Sequence, residues 1–359
     1  MLKAYENREP AFERAAEATL RALLEKVPAI YLSEIIGQAG PPGHEIDFVA
    51  HLSIDGRAHT LLCEAKASGQ PRHVREAIHH LNFIARAFAP DATPVLLAPY
   101  LSKEAQALCK ESGVSYADLE GNCRLAFDSV FIEREVATRP ASVKRELRSL
   151  FKPKSAQVLR RLLRDPHQAW RVVDLAQAAD VSLGHVSNVR KALIQRDWAE
   201  ASGEGLRLTA PDDLLDAWRD SYEPPAGERV STYTALHGQM LSDALRRATE
   251  EPGARVALAA YTAAQWLAPF ARGGMDFVYV DAPGFAALRK HLDFGPISRG
   301  ANLEVIQLTD DGPLRDAVQL APGRVATSPV QTYLDLWVSG ERGREAADFL
   351  RHEKLKWSP

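Results

Sequence analysis

The first clear periodicity lies in PAFERAAEATLRALLEKV, where Phe12, Ala16, Leu20, Leu23 and Leu24 recur near helical spacing and predict an amphipathic helix. The run EIDFVAHLSIDGRAHTLLCEAK then alternates apolar and polar residues on both sides of Asp55-Gly56. Asp-Gly suits a two-residue type I′ turn, in which both central residues need positive φ, so this run predicts a β-hairpin. A helix is expected from about His73 to Phe88, then the apolar run PVLLAPY, a helix near KEAQALCKES, and apolar stretches in GVSYADL and CRLAFDSVFIE. Strands alternating with helices predict an α/β domain whose sheet is at least partly parallel.

Two breaks divide the rest of the chain. The charged, proline-broken segment REVATRPASVKRELRSLFKPK closes a first domain at about residue 135, and the Pro- and Gly-containing SYEPPAGERVS closes a second near 222. The expected domains are therefore 1–135, a helical block over 145–222, and a mixed α/β block over 231–359 with DFVYVD and NLEVIQL as its clearest strands. The 359-residue length suits two or three domains. Hydrophobic content of 46% and charged content of 25% are those of a globular chain, not a disordered or fibrous one. The longest uncharged run, Val256 to Ala271, is shorter than the about 20 residues a bilayer span needs and reads as buried core. No apolar signal segment opens the sequence, and Cys63, Cys109 and Cys123 show no paired spacing. Reduced, mostly buried thiols in a cytoplasmic protein are expected.

The hairpin makes a specific claim about chemistry. Counting back seven residues from Ile54 and forward seven from Arg57 brings Asp47 opposite Glu64, and two further steps bring Glu45 opposite Lys66. Ile46, Phe48, Ala50, Leu52, Leu61, Cys63 and Ala65 would share the core face. Like charges directly opposite one another are destabilising, so a cation is expected between the carboxylates. Lys66 could supply it, or a hard divalent metal such as Mg²⁺ or Mn²⁺ with Asp47 and Glu64 as ligands. The first alternative is an ion-paired strand end. The second is a catalytic site of Asp47, Glu64 and Lys66, in which metal and lysine act on a phosphodiester.

This arrangement resembles the restriction-endonuclease-like PD-(D/E)XK superfamily. Asp47 matches its first acidic position and Glu64-Ala65-Lys66 its second, while the proline before the first aspartate is absent in Glu45-Ile46-Asp47. The resemblance implies a further acid on the first helix, for which Glu13 or Glu17 could serve. It also implies a glutamine or histidine near the next helix, for which His80 or Gln70 could serve. His73 and His79, on the same basic helix as Arg72, Arg75 and Arg86, read as a solvated or phosphate-contacting face.

WRVVDLAQAADVSLGHVSNVRKALIQRDWAEASGEGLRLT has the pattern of a winged helix-turn-helix. Ser182 is placed to cap the second helix, Val186, Val189, Leu193 and Ile194 to face the core, and a Gly-Glu-Gly turn to form the wing. From Lys144 to Arg196 there are 12 lysines and arginines against 4 aspartates and glutamates, a local net of +8. The whole chain carries −3, so the remainder carries −11. A basic module in an acidic chain is the footprint of phosphate binding, and double-stranded DNA is the expected partner. Lys152, Lys154, Arg160, Arg161 and Arg171 are candidates for phosphates. Ser182, His185, Ser187, Asn188, Arg190 and Lys191 are candidates for the groove face of the second helix.

The last block holds no catalytic motif, and Asp276 and Asp281 read as strand-end aspartates. Its ending, SPVQTYLDL with RGREAADFL, resembles the AbiEi-type antitoxins of type IV toxin–antitoxin systems. LLCEAKASGQPRHVREAI and DLEGNCRLAF resemble a branch with a nuclease-like N-terminal domain. That likeness implies a transcriptional regulator of a toxin–antitoxin or phage-defence locus, with a cognate toxin as partner. An endonuclease targeted by its winged helix is the alternative.

Overall fold

The computed structural model describes residues 9–137, 139–270, 274–292, 297 and 299–357. They fall into two compact units: residues up to Lys144 with Ile194–Asp197, and Arg145–Leu193 with the chain from Trp198 onward.

The first unit is a seven-stranded sheet with helices on both faces. In chain order it comprises α1 (Glu9–Leu24), β1 (Ile30–Ala39), β2 (Ile46–Ile54), β3 (Arg57–Ala65), α2 (Pro71–Phe88), β4 (Thr93–Ala98), α3 (Lys103–Glu111), β5 (Ser115–Asp118), β6 (Cys123–Phe127) and β7 (Val130–Arg134). The strands lie side by side in that order. β3, β4 and β5 are parallel to one another, and the remaining pairs are antiparallel. This matches the partly parallel sheet expected of helix-separated strands.

Both faces of the central strands are buried, as parallel strands require. Leu61 and Cys63 of β3, with Val95 and Leu97 of β4, pack beneath Ala16, Leu20 and Leu24 of α1. Leu62 and Leu96 on the opposite face pack beneath Val74, Ile78 and Leu81 of α2 and Ala105 and Cys109 of α3. All three cysteines are free and buried, as expected.

The hairpin turns where the sequence placed it. Asp55 and Gly56 have φ of 48° and 83°, and the ladder runs from Ile54–Arg57 to Phe48–Cys63 in the expected register. Ile46 departs from expectation. It packs with Val49 and Leu62 under α2, not with Phe48. The alternation slips where the β2–β3 ladder ends, because the Asp47 carboxylate takes the N–H of Ala65. Strand β1 had no counterpart in the sequence reading. It is an edge strand with exposed Tyr31 and Ile36, so no face alternates cleanly enough to announce it. CRLAFDSVFIE proves to be a hairpin, with Asp128 at φ 47° in its turn.

The second unit begins with α4 (Ala141–Leu150), α5 (Pro153–Arg164), α6 (Val172–Ala179), α7 (Leu183–Gln195), the ribbon β8 (Ala199–Ala201) and β9 (Leu206–Leu208), and α8 (Pro211–Asp220). There follow β10 (Gly227–Thr232), α9 (Gln239–Glu250), β11 (Val256–Leu258), α10 (Ala260–Leu267), β12 (Asp276–Val280), α11 (Ala282–His291), β13 (Leu303–Leu308), α12 (Gly312–Arg315), β14 (Val318–Ala321), β15 (Arg324–Ala326), α13 (Pro329–Trp337) and α14 (Glu341–Lys354). The six long-range strands form a mixed sheet ordered β10-β13-β12-β11-β15-β14. Residues 256–259 of the long uncharged run are buried in it. Among the described residues, no helix is long and apolar enough to cross a membrane.

The helical block and the last block are joined by a buried polar network. Arg160 is 4% exposed and donates to Gln331 Oε1 at 2.9 Å. Asp335 accepts from Tyr222 Oη at 2.5 Å and Gln331 Nε2 at 3.0 Å, and burial pushes its carboxyl up to about 6. Arg351 reaches both Asp212 and Asp216, and Arg164 reaches Asp316. The polar residues of SPVQTYLDL therefore face inward: Gln331, Tyr333 and Asp335 serve packing within this unit.

This network corrects one phosphate candidate, Arg160, which is spent in the interior. Arg161 is half-buried and donates through Nε to the carbonyl of Ala178 in α6. With Arg164 and buried Arg196, part of the +8 surplus is therefore engaged within the protein. Removing one partner of a buried charged network leaves the others unsatisfied, at a cost of about 3 kcal/mol. Arg160→Ala should lower unfolding stability by about that amount in urea titrations.

Candidate active site

Ligands of open α/β sheets gather outside the carboxyl ends of the parallel strands. Here β3, β4 and β5 end at Ala65, Ala98 and Asp118, and β2, running antiparallel to β3, begins at that same edge. Asp47, Glu64 and Lys66 therefore share one edge of the sheet.

Glu64 points to the α2 face with Leu62, and it is 4% exposed. Its Oε1 is 2.6 Å from Lys66 Nζ and 3.3 Å from His80 Nδ1. Its Oε2 is buried with no hydrogen-bond partner. A buried oxygen left open on a carboxylate is costly unless something satisfies it. Asp47 lies one step past the end of the ladder, and its Oδ2 accepts from Ala65 N at 2.6 Å. Burial pushes its carboxyl up to about 6. The Ala65 N–H opposes that shift, the charge of Glu64 adds to it, Lys66 opposes it, and Glu13 adds a smaller upward push. The charge of Glu64 therefore reaches Asp47, although the ladder itself ends at Phe48–Cys63.

Lys66 is placed differently from the expectation. It turns to Glu64, while Glu45 folds back to accept from the N–H of Gly43. The longer reach across the hairpin loses to a neighbour two residues away on the same strand. The backbone of Lys66 is fixed by a bond from its N–H to Leu97 O at 2.9 Å. The following loop passes so close to β4 that a Cβ on Gly69 would lie 1.9 Å from the carbonyl oxygen of Tyr100. Between the two residues offered for the α2 position, His80 reaches Glu64, whereas Gln70 stands at the N-cap of α2 without a side-chain capping bond. On α1, Glu13 is felt by Asp47, and Glu17 pairs with Arg21. His73 faces Glu76.

A bound Mg²⁺ or Mn²⁺ suits these donors. Both are hard oxygen ligands, one oxygen is orphaned, and a divalent cation would relieve their repulsion. Among the described residues, no group of three or more His, Cys, Asp or Glu could hold a metal. Water and substrate oxygens would complete the shell, as is usual for Mg²⁺.

Two features of this edge escaped the sequence. Asp118, fully buried, accepts from Leu101 N, Asn122 N and Asn122 Nδ2, and Asn122 Oδ1 accepts from Val136 N. The DLEGN segment is thus a buried clamp on the loops beside the site. His44, Phe83 and Phe88 form a group of touching, exposed rings next to it.

In the second unit, α6 and α7 with the β8–β9 ribbon form the expected succession of two helices and a two-stranded hairpin. Trp170 bridges to Leu206 as a third short strand. Ser182 Oγ accepts from His185 N, as expected of the cap. Val186, Val189 and Leu193 are buried, whereas Ser182, Ser187, Asn188, Arg190, Lys191, Arg171, Lys152 and Lys154 are exposed. His185 is half-buried and its Nε2 lies 3.0 Å from Ser155 Oγ, tying α7 to α5. Asp281 caps α11 by accepting from Gly284 N, and Asp276 pairs with Thr262, which confirms both as structural strand-end residues.

No protein family matches the chain, and no characterised protein matches its sequence. Among solved structures, it is similar to a repair endonuclease from Pyrococcus abyssi, with 17% identity over 29% of this chain and 46% of that one and a TM-score of 0.22. It is also similar to EndoMS in a complex with double-stranded DNA, with 18% identity over 30% and 44% and a TM-score of 0.23. EndoMS in its apo form gives 15% identity over 29% and 45%, with a TM-score of 0.22. The chain spans less than half the length of each. None of these comparisons returns an antitoxin or a transcriptional regulator, and the site's own geometry carries the functional reading.

The raised Asp47 carboxyl sets a sign for pH effects. Its folded value, about 6, exceeds the unfolded 3.8, so the folded state binds the extra proton between them. Its contribution to stability then falls as pH rises through that window. Metal-free protein should become more stable on Asp47→Asn above pH 6, by about 2 °C in Tm. Mn²⁺ titrated by calorimetry should bind more weakly below pH 6, with proton release on binding near that pH. PH-independent Mn²⁺ affinity between pH 5 and 8 would contradict this assignment.

Proposed function

We propose that the chain is a metal-dependent phosphodiesterase that acts on DNA. The observation that carries the proposal is Glu64: a buried carboxylate held by Lys66 and His80, with its second oxygen unpaired and its charge felt by Asp47. A strand-end ion pair would account for Lys66 and Oε1. It would not account for a buried, unpaired Oε2 or for a second desolvated carboxylate.

Asp47 and Glu64 would hold Mg²⁺ or Mn²⁺, which supplies charge neutralisation at the phosphate and a water of lowered pKa. His80 fixes the rotamer of Glu64, and the Ala65 N–H fixes that of Asp47. Lys66 lies at the mouth of the pair, where its ammonium stabilises negative charge developing on a phosphate oxygen as the P–O bond breaks. Truncating a preorganised donor of this kind costs about 10²–10³ in rate. Lys66→Ala, Glu64→Ala and Asp47→Ala should each abolish or cut nicking of plasmid DNA in Mn²⁺ by at least that factor, and chelation should stop it. Absence of cleavage of any single- or double-stranded DNA by the wild-type protein in Mg²⁺ and Mn²⁺ would sink the proposal.

We further propose that α5–α7 and the β8–β9 ribbon form a winged helix-turn-helix that grips the duplex. The exposed face of α7, with Ser187, Asn188, Arg190 and Lys191, supports this reading. A regulatory role would use that same face. Arg190→Ala and Lys191→Ala should weaken duplex binding and reduce its log–log salt slope by about 1 each. Equal affinity and slope in fluorescence anisotropy would contradict the placement.

A further inference from the structure

A cluster of exposed rings joins α2 to the segment that precedes β2. Phe83 is 48% exposed and Phe88 53%, although both belong to α2, whose other large apolar side chains are in the core. They lie 6.2 Å apart in an edge-on arrangement, and the exposed ring of His44 lies 4.9 Å from Phe83 and 6.4 Å from Phe88. Scattered exposed apolar residues are ordinary, but three rings in mutual contact make a patch.

Its position ties it to the carboxylates. His80, which touches Glu64, stands one turn before Phe83, so the two side chains share a flank of α2. His44 stands three residues before Asp47 on the segment that enters β2, and the N–H of Gly43 binding Glu45 holds that segment in its turn. The ring cluster therefore joins α2, one turn past the residue that touches Glu64, to the segment that enters β2 just before Asp47. On the same helix Arg72 pairs with Glu76 and Arg75 with Asp197, while Arg86 stands in the last turn between Phe83 and Phe88. Aromatic faces beside a cation next to a phosphodiester centre match a strand that carries both bases and phosphates. In a paired duplex the bases are stacked on one another and offer no face to a ring, whereas an unpaired nucleotide does.

We propose that His44, Phe83 and Phe88 form a stacking platform for an unpaired base, so that the substrate of this site is DNA with a single-stranded or extruded nucleotide. The consequence for cleavage rests on the phosphodiesterase reading of Asp47, Glu64 and Lys66; the binding does not. Stacking on one aromatic side chain contributes about 1–3 kcal/mol per base, or roughly 5- to 150-fold in affinity.

The test uses the full chain in chelator, where no cleavage occurs. The probes are a single-stranded oligonucleotide carrying 2-aminopurine and the same sequence fully paired. Wild-type protein should quench 2-aminopurine in the single strand. Phe83→Ala with Phe88→Ala should weaken single-strand binding at least tenfold and remove the quenching, while Phe83→Trp retains both and duplex binding stays within twofold. Unchanged single-strand affinity in the double variant would overturn the proposal, as would an equal loss for the duplex. Self-association of the wild type that the double variant abolishes, with oligonucleotide affinity unaltered, would instead assign the rings to a second copy of the chain. Ring-dependent binding without cleavage in Mn²⁺ would retain the platform and reject the phosphodiesterase. Cleavage indifferent to the rings would do the reverse.

Discussion

Two carboxylates at the same end of a sheet oppose one another's ionisation, and the contacts at that end of the first unit answer that constraint. Ending the β2–β3 ladder at Phe48–Cys63 leaves Asp47 and Glu64 as the next residues on facing strands. Asp47 recovers a hydrogen bond by taking the N–H of Ala65. Glu64 recovers two partners, Lys66 and His80, and still keeps one oxygen open. The cost of that arrangement shows in Asp47, whose carboxyl rises to about 6. Such unrelieved desolvation is uncommon in a purely structural contact and ordinary where a site awaits a charged ligand.

The surrounding architecture holds this geometry rigid. Parallel β3, β4 and β5 deliver three carboxyl ends to one edge, and burial of both sheet faces prevents their register from slipping. The buried Asp118–Asn122 clamp and the close passage of Gly69 against Tyr100 fix the loops on either side. The site is thus supported by backbone and buried polar contacts, which a reader of one motif would not anticipate.

In the second unit the decisive contacts are between the helical block and the sheet block that follows it. Arg160, Tyr222, Gln331 and Asp335 form one connected set of hydrogen bonds and charges. Arginines that look like phosphate ligands in the sequence serve there as internal partners for acids more than 100 residues away. What is left exposed is a smaller set of cations on α7 and at the starts of α5 and α6.

The hairpin and its register from Ile54–Arg57 to Phe48–Cys63 were legible in the sequence because a two-residue turn fixes strand pairing locally. The helix-turn-helix and its cap were legible for the same reason, since their signals lie within a few residues. Tertiary structure alone decided the rest. It chose His80 over Gln70 by laying α2 across β3, and it turned Lys66 from Glu45 to Glu64. It placed β1 at an edge where burial leaves no pattern, withdrew Arg160 from the surface, and gathered His44, Phe83 and Phe88 from segments about 40 residues apart. Local sequence encodes turn, period and cap; which charges and rings meet depends on which faces pack, and packing is a property of the whole chain.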